Sequence, residues 1–196
     1  MTYDCIVSSL SQLAMALSQP NGYDPSQLQS LARQQLGPIS SFAESILSSD
    51  EEQMQKSLTG IADHLSGLAS YEAWFDLGRV ASSLFFHHAA LEYFEWSARV
   101  AEEQGQYEGV ARARFYLGNL YSDDEDWDQA RQFYELARKV IEGRGRSSLQ
   151  VSILTNLGRV SRLAGDLSYA EECYCRIIKM LESVDRAGLA QAHYSL

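Results

Sequence analysis

Residues 117–137 read LGNLYSDDEDWDQARQFYELA, and three landmarks within them return at a fixed interval along the chain. The pair Leu117-Gly118 has counterparts at Leu77-Gly78 and Leu157-Gly158, a constant spacing of 40. Thirteen residues after each of these leucines stands an alanine: Ala90, Ala130 and Ala170. Seventeen residues after each stands an aromatic: Phe94, Tyr134 and Tyr174. Three columns agreeing over three copies mark an internal repeat, and a period of this length belongs to stacked supersecondary units. Two antiparallel helices per copy account for the columns. A bare glycine lets the second helix approach the first, and the small alanine accepts that approach from the other side. The aromatic is expected to fill the space between one hairpin and the next. Short polar turns are expected at His87-His88, Asp123–Asp126 and Ala164-Gly165-Asp166, with Gly165 ending a helix and Asp166 starting one.

These residues resemble the tetratricopeptide repeat family, whose pattern is W-x2-L-G-x2-Y followed by A-x3-F. The first copy reads Trp74-x2-Leu77-Gly78, then Ala90-x3-Phe94. The second reads Leu117-Gly118-x2-Tyr121, then Ala130-x3-Tyr134 and Ala137. The third reads Leu157-Gly158, then Ala170-x3-Tyr174. The family's usual period is about 34, whereas here it is 40 and Glu102, Glu142 and Glu182 stand in the column where proline is common. That departure resembles the longer-helix subgroup of kinesin light chains, GoLoco-motif polarity adaptors and many bacterial sensors and regulators. The resemblance covers residues 71–196. It implies an all-α, right-handed superhelical solenoid of helical hairpins, with repeats at about 71–109, 110–149 and 150–187. Gly188-Leu189-Ala190-x-Ala192-x-Tyr194-x-Leu196 lines up with Gly109-Val110-Ala111-x-Ala113-x-Phe115-x-Leu117, so a first helix of a fourth repeat is expected there. That segment is expected either to cap the array or to lead into a longer protein.

Residues 1–70 are expected to be a helical cap, with helices over about Tyr3–Ser18, Pro25–Leu36, Pro38–Ser48 and Glu51–Leu68. Met54, Leu58, Ile61, Leu65 and Leu68 form an apolar stripe at helical spacing. Asn21-Gly22 marks a turn, and Leu36-Gly37, 41 residues before Leu77, suggests a worn earlier repeat.

Composition supports the helical reading. The three prolines are Pro20, Pro25 and Pro38, so the rest of the chain is free of the strongest helix breaker. The net charge of −10 is shared equally by residues 1–70 and 71–196, which argues against a phosphate-backbone partner and hence against nucleic acid. Cys5, Cys173 and Cys175 are too few and wrongly spaced for a disulfide framework. No apolar run reaches the roughly 20 residues of a membrane span, and no basic segment precedes Cys5–Leu17 as a signal peptide requires; a cytoplasmic location is expected.

No catalytic motif appears: there is no glycine-rich phosphate loop, nucleophile elbow or metalloprotease helix. Asp124, Asp126, Asp128 and Glu135 fall at calcium-loop places one, three, five and twelve, yet place six is Gln129 where glycine is needed. The acidic turn is better explained as negative charge at a helix N-terminus. No enzyme activity, metal or cofactor is expected.

The resemblance places the functional surface on first-helix side chains lining an inner groove. These are Glu72, Phe75, Asp76, Arg79 and Ser82; Arg112, Phe115, Tyr116, Asn119 and Ser122; Ser152, Thr155, Asn156, Arg159 and Arg162; then Gln191, Tyr194 and Ser195. Arg79, Arg112, Arg159 and Arg162 stand out against the acidic background. Arginine forks bind carboxylates bidentately, and asparagine amides can bond a peptide backbone. Phe75, Phe115, Tyr116 and Tyr194 are expected as exposed aromatics on the same surface. The peptide-binding set is therefore Arg79, Arg112, Phe115, Tyr116, Asn119, Asn156, Arg159 and Arg162, and the expected ligand is an acidic or carboxylate-bearing peptide segment of a partner protein. Two alternatives carry weight: a regulatory part of a larger effector, and self-association through the open C-terminal repeat.

Overall fold

The computed structural model describes the backbone of residues 3–17, 25–34, 38–66, 70–144 and 148–194, with side chains described from residue 7 and as far as residue 182. Every regular element among the described residues is a helix. They are α1 (Tyr3–Leu17), α2 (Pro25–Arg33), α3 (Pro38–Ser48), α4 (Glu51–Leu65), α5 (Tyr71–Ser83), α6 (His87–Glu103), α7 (Tyr107–Asp123), α8 (Trp127–Ile141), α9 (Ser148–Leu163) and α10 (Leu167–Tyr194). The chain divides into two compact units, Met1–Ala113 and Arg114–Leu196, with the division inside α7.

In the first unit the helix starts are written locally. Pro25 and Pro38 open α2 and α3, where the missing N–H is no loss. Asp50 caps α4 by accepting the Gln53 N–H at 3.0 Å, and Ser70 caps α5 by accepting that of Ala73 at 3.2 Å. Helix α1 packs on α2, α3 and α5, α3 on α2 and α4, and α5 on α4 and α6. Leu10, Leu13, Leu28, Ile39, Phe42, Leu58, Ile61, Leu65 and Leu77 are the buried apolar centre. Three members of the expected α4 stripe are thus buried, while Met54 is half-buried. The turn at Asn21-Gly22, the pair Leu36-Gly37 and Leu68 lie outside the described residues.

The repeat columns have a more direct cause than the sequence suggested. A Cβ added at Gly78 would lie 2.7 Å from the Phe94 ring, and in the second unit one at Gly118 would lie 2.6 Å from Tyr134 and one at Gly158 2.8 Å from Tyr174. The aromatic therefore rests on the glycine of its own hairpin, where the expectation placed it between hairpins. A flat ring can lie this close only against backbone with no side chain.

The hairpin turns share one backbone solution. Phe85, Glu125 and Gly165, again 40 apart, adopt φ of 62°, 62° and 88°. The following N–H reaches back to the last turn of the helix: Phe86 to Ala81 O at 2.9 Å, Asp126 to Tyr121 O at 2.9 Å, and Asp166 to Ser161 O at 2.8 Å. This is the left-handed helix ending that glycine favours, adopted here twice by other residues. Asp126 and Asp166 then cap the next helices by accepting the N–H of Gln129 and Tyr169, each at 3.1 Å. The first turn differs from expectation, because His87 and His88 open α6 instead of lying in the turn, which is Leu84–Phe86.

In the second unit α9 packs on α8 and α10. Helix α10 runs 28 residues. The side chains of residues 183–196 are outside the described set, and the reading of Gly188–Leu196 as a fourth repeat falls there.

Candidate functional site

The expected inner-face residues divide between the two units. In the first, helical spacing puts Glu72, Phe75, Asp76 and Arg79 on one side of α5. Together with Gly109 and Arg112 of α7, and Val7, Ser11 and Met15 of α1, they line a cleft of about 410 Å3. The contribution of α1 was missed at the level of sequence. Its signal was the amphipathic set Leu10, Leu13, Ala14 and Leu17, which demands a partner helix without saying which.

That cleft corrects one expectation. Phe75 is buried at 4% exposure and Asp76 at 8%, because α1 and the α6 aromatic Phe94, 5.6 Å away between ring centres, cover them. Phe75 is therefore no exposed anchor. Its ring instead supports the Arg112 guanidinium at 4.4 Å. Arg79 Nη1 donates to Asp76 Oδ1 at 3.3 Å, and Ser70 Oγ donates to Glu72 Oε2 at 3.3 Å. Burial, and then the neighbouring Glu72 carboxylate, raise the Tyr71 phenol above its ordinary range. Two acids and two arginines thus meet in one cleft, with no excess of positive charge.

In the second unit, α7 supplies Phe115, Tyr116 and Asn119, and α9 supplies Asn156, Arg159 and Arg162. Asn119 Oδ1 accepts twice, from the Tyr134 hydroxyl at 2.7 Å and from Asn156 Nδ2 at 3.0 Å. What Asn119 can still offer a partner is its pair of N–H donors. Arg159 Nη2 donates to Ser122 Oγ at 2.8 Å. Phe115 sits 5.7 Å from Tyr134 and edge-on to Tyr116 at 5.8 Å between ring centres. Phe115, Tyr116, Asn119, Asn156 and Arg159 are all half-buried, while Arg162, one turn beyond Arg159, is exposed. Burial pushes the Tyr134 phenol up to about 12, against a smaller downward pull from Arg159, Ser122 and Asn156. The phenol is therefore a fixed donor that orients Asn119. Ser152 and Thr155 turn back to carbonyls of their own helix, at 3.1 and 2.8 Å. Gln191, Tyr194 and Ser195 lie outside the described side chains.

The calcium-loop lookalike is accounted for by local structure. Asp126 caps α8, and Glu135 lies in α8, paired with Arg138 at 3.0 Å and with the Tyr169 hydroxyl. Among the described residues no group of three or more His, Cys, Asp or Glu side chains gathers to hold a metal ion, and no helix is long and apolar enough to cross a membrane.

Comparison with known proteins agrees with this geometry. The nearly identical TPR-like repeats of a Podosopora anserina kinesin light chain superpose over 82% of this chain and 77% of their own, at 12% identity and a TM-score of 0.56. A point variant of the same repeats superposes over 81% and 76%, at 12% identity and a TM-score of 0.57. The apo form of RapI covers 83% of this chain, which spans 57% of RapI, at 12% identity and a TM-score of 0.58. At such identities the likeness speaks to the fold alone. A search of curated proteins finds no match. The tetratricopeptide repeat model matches residues 69–143 and 110–183, which is more than half of the chain and spans every repeat column, and on that ground this chain belongs to the tetratricopeptide repeat family.

Proposed function

We propose that this protein is a non-catalytic adaptor that captures an acidic or carboxylate-bearing peptide segment, and that the inner face of α7 and α9 makes the capture. Tetratricopeptide folds are protein–protein interaction scaffolds. In this reading α5–α6, α7–α8 and α9–α10 are the three repeats of residues 71–187, and residues 1–70 cap them. The observation that carries it is the set in which Tyr134 and Asn156 both donate to Asn119 Oδ1, with Arg159 and Arg162 following on the same face of α9. Pre-oriented amide donors suit the carbonyls of an extended peptide and make no demand on its side chains. The guanidinium pair adds a preference for carboxylate. In the first unit, Arg79 with its Asp76 partner and Arg112 on Phe75 serve as a framework whose contribution to acidic ligands is small.

The test is a fluorescence-anisotropy titration with short labelled peptides: acidic with a free C-terminus, the same sequences amidated, and basic controls. Acidic free-carboxylate peptides should bind best, and Arg159→Glu/Arg162→Glu should weaken them by at least ~10-fold, the loss of one charged hydrogen bond. An unchanged affinity, or a preference for the basic peptides, contradicts the assignment.

A further inference from the structure

The first unit holds a second cleft, of about 370 Å3, between α4 and α6. Helix α4 supplies Leu58, Ala62 and Asp63 to it, and α6 supplies Ala89, Glu92 and Tyr93. Residues three and four apart share one side of a helix, so each helix turns an apolar and an acidic group to the cleft together. His87 and His88 also border it, and no lysine or arginine does.

Tyr93 is the unusual member. It is 5% exposed, yet its hydroxyl makes no hydrogen bond to any described residue, where buried phenols ordinarily find a partner. The hydroxyl cannot readily turn away to seek one. Its ring lies 5.8 Å from that of Trp74, which is itself stacked on Trp96 at 5.8 Å. Burial, and then the Glu92 and Asp63 carboxylates, push the phenol up to about 12. The group is therefore neutral at physiological pH, and both acids lie near enough to act on it. Neither acid has an ion-pair partner among the described residues. Carboxylates that share a site without a counter-ion repel one another, and a bound cation relieves that repulsion. Among the described residues no three metal-ligating side chains gather here. The cation that fits brings its own N–H donors and an apolar body.

We propose that the α4–α6 cleft binds an aliphatic diamine. One ammonium pairs with Asp63 and the other with Glu92, and the Tyr93 hydroxyl oxygen accepts from one of them. The methylenes between them lie on Leu58, Ala62 and Ala89. An ammonium carries three donors and no acceptor, which matches two carboxylates and a phenol oxygen. The site shares no residue with the peptide-binding face, which uses α7 and α9.

Isothermal titration calorimetry of the full chain with the diamine putrescine tests this. A net charge of −10 draws any polycation, so the control must match charge. The wild type should take up one equivalent. Asp63→Asn/Glu92→Gln should weaken binding at least ~10-fold, and both side chains are exposed, so the fold should stand. Asp124→Asn/Asp128→Asn removes as many charges elsewhere and should leave binding unchanged. Tyr93→Phe should weaken it about 5-fold with the melting temperature of the free chain unaltered, since the hydroxyl has no bond in the chain to lose. Butylamine, with a single charge, should bind at least ~10-fold more weakly than putrescine. A wild type that takes up no diamine overturns the proposal. So does full binding by Asp63→Asn/Glu92→Gln, or butylamine binding as tightly as the diamine.

Discussion

Hairpin α5–α6 and the hairpin formed by α7 with α8 carry the same core and different inner faces. In each, a ring rests on the Leu-Gly glycine, Phe94 on Gly78 and Tyr134 on Gly118, and a second aromatic leans on that ring, Phe75 at 5.6 Å and Phe115 at 5.7 Å. The next inner-face places diverge. Asp76 and Arg79 in the first become Tyr116 and Asn119 in the second. Asp76 and Arg79 satisfy each other, whereas Asn119 is held by Tyr134 and Asn156 with its own N–H donors to spare. Hairpin packing thus fixes the columns of small and aromatic residues, and leaves the intervening inner-face positions to differ between copies. A position's register in the repeat says where it lies, and its neighbours decide whether it can bind anything.

The largest effects are expected at the core that the two hairpins share. Gly118→Ala and Gly78→Ala should each destabilise by about 1–3 kcal/mol, because a methyl within 3 Å of a fully buried ring forces it off its seat. Chemical denaturation measures this, and a cost near zero in either hairpin would show that the ring is free to move. The two hairpins should respond alike, since their contacts are alike.

Tyr134→Phe sharpens the difference, as it gives the second hairpin the first one's chemistry at this column. It should cost about 1 kcal/mol at neutral pH, with the hydrogen bond to Asn119. It should also change the alkaline limb. Burial pushes the phenols of Tyr134 and, in the first unit, Tyr93 from 10.0 to about 12. Their folded forms therefore stay neutral while the unfolded chain ionises. The stabilisation is complete below pH 10 and is lost between about pH 10 and 12, at up to ~1.4 kcal/mol per pH unit for each tyrosine. Denaturation across that range should show a shallower fall in Tyr134→Phe. An unaltered slope would mean that the hydroxyl ionises as freely folded as unfolded.

The smallest effects belong to the turns. Phe85→Gly and Glu125→Gly should each raise stability by about 0.5–1 kcal/mol, since both residues hold the left-handed conformation that glycine adopts without strain. Thermal melts of either variant no higher than wild type would contradict that reading of the turn.

Much of this was legible in the residues. Leu-Gly, alanine and aromatic columns recur because each hairpin solves the same packing problem, and Pro25, Pro38, Asp126 and Asp166 mark helix starts through local geometry. The missed features depend on contacts between residues distant in sequence. Nothing in the periodicity says that α1 packs on α5, more than fifty residues away, so the burial of Phe75 and the sharing of that cleft by Met15 were hidden. The pairing of Arg79 with Asp76 was available from their spacing of three. The double acceptance by Asn119 was not, because it joins three helices.

We propose that the inner face of α7 and α9, and not that of α5, holds the peptide. The most direct measurement is an NMR titration of the labelled chain with an acidic free-carboxylate peptide, following the side-chain signals of Asn119, Asn156 and Arg159 beside that of Arg79. The first three should move in proportion to occupancy while Arg79 stays in place. Movement of Arg79 with the asparagines and Arg159 unchanged would contradict it.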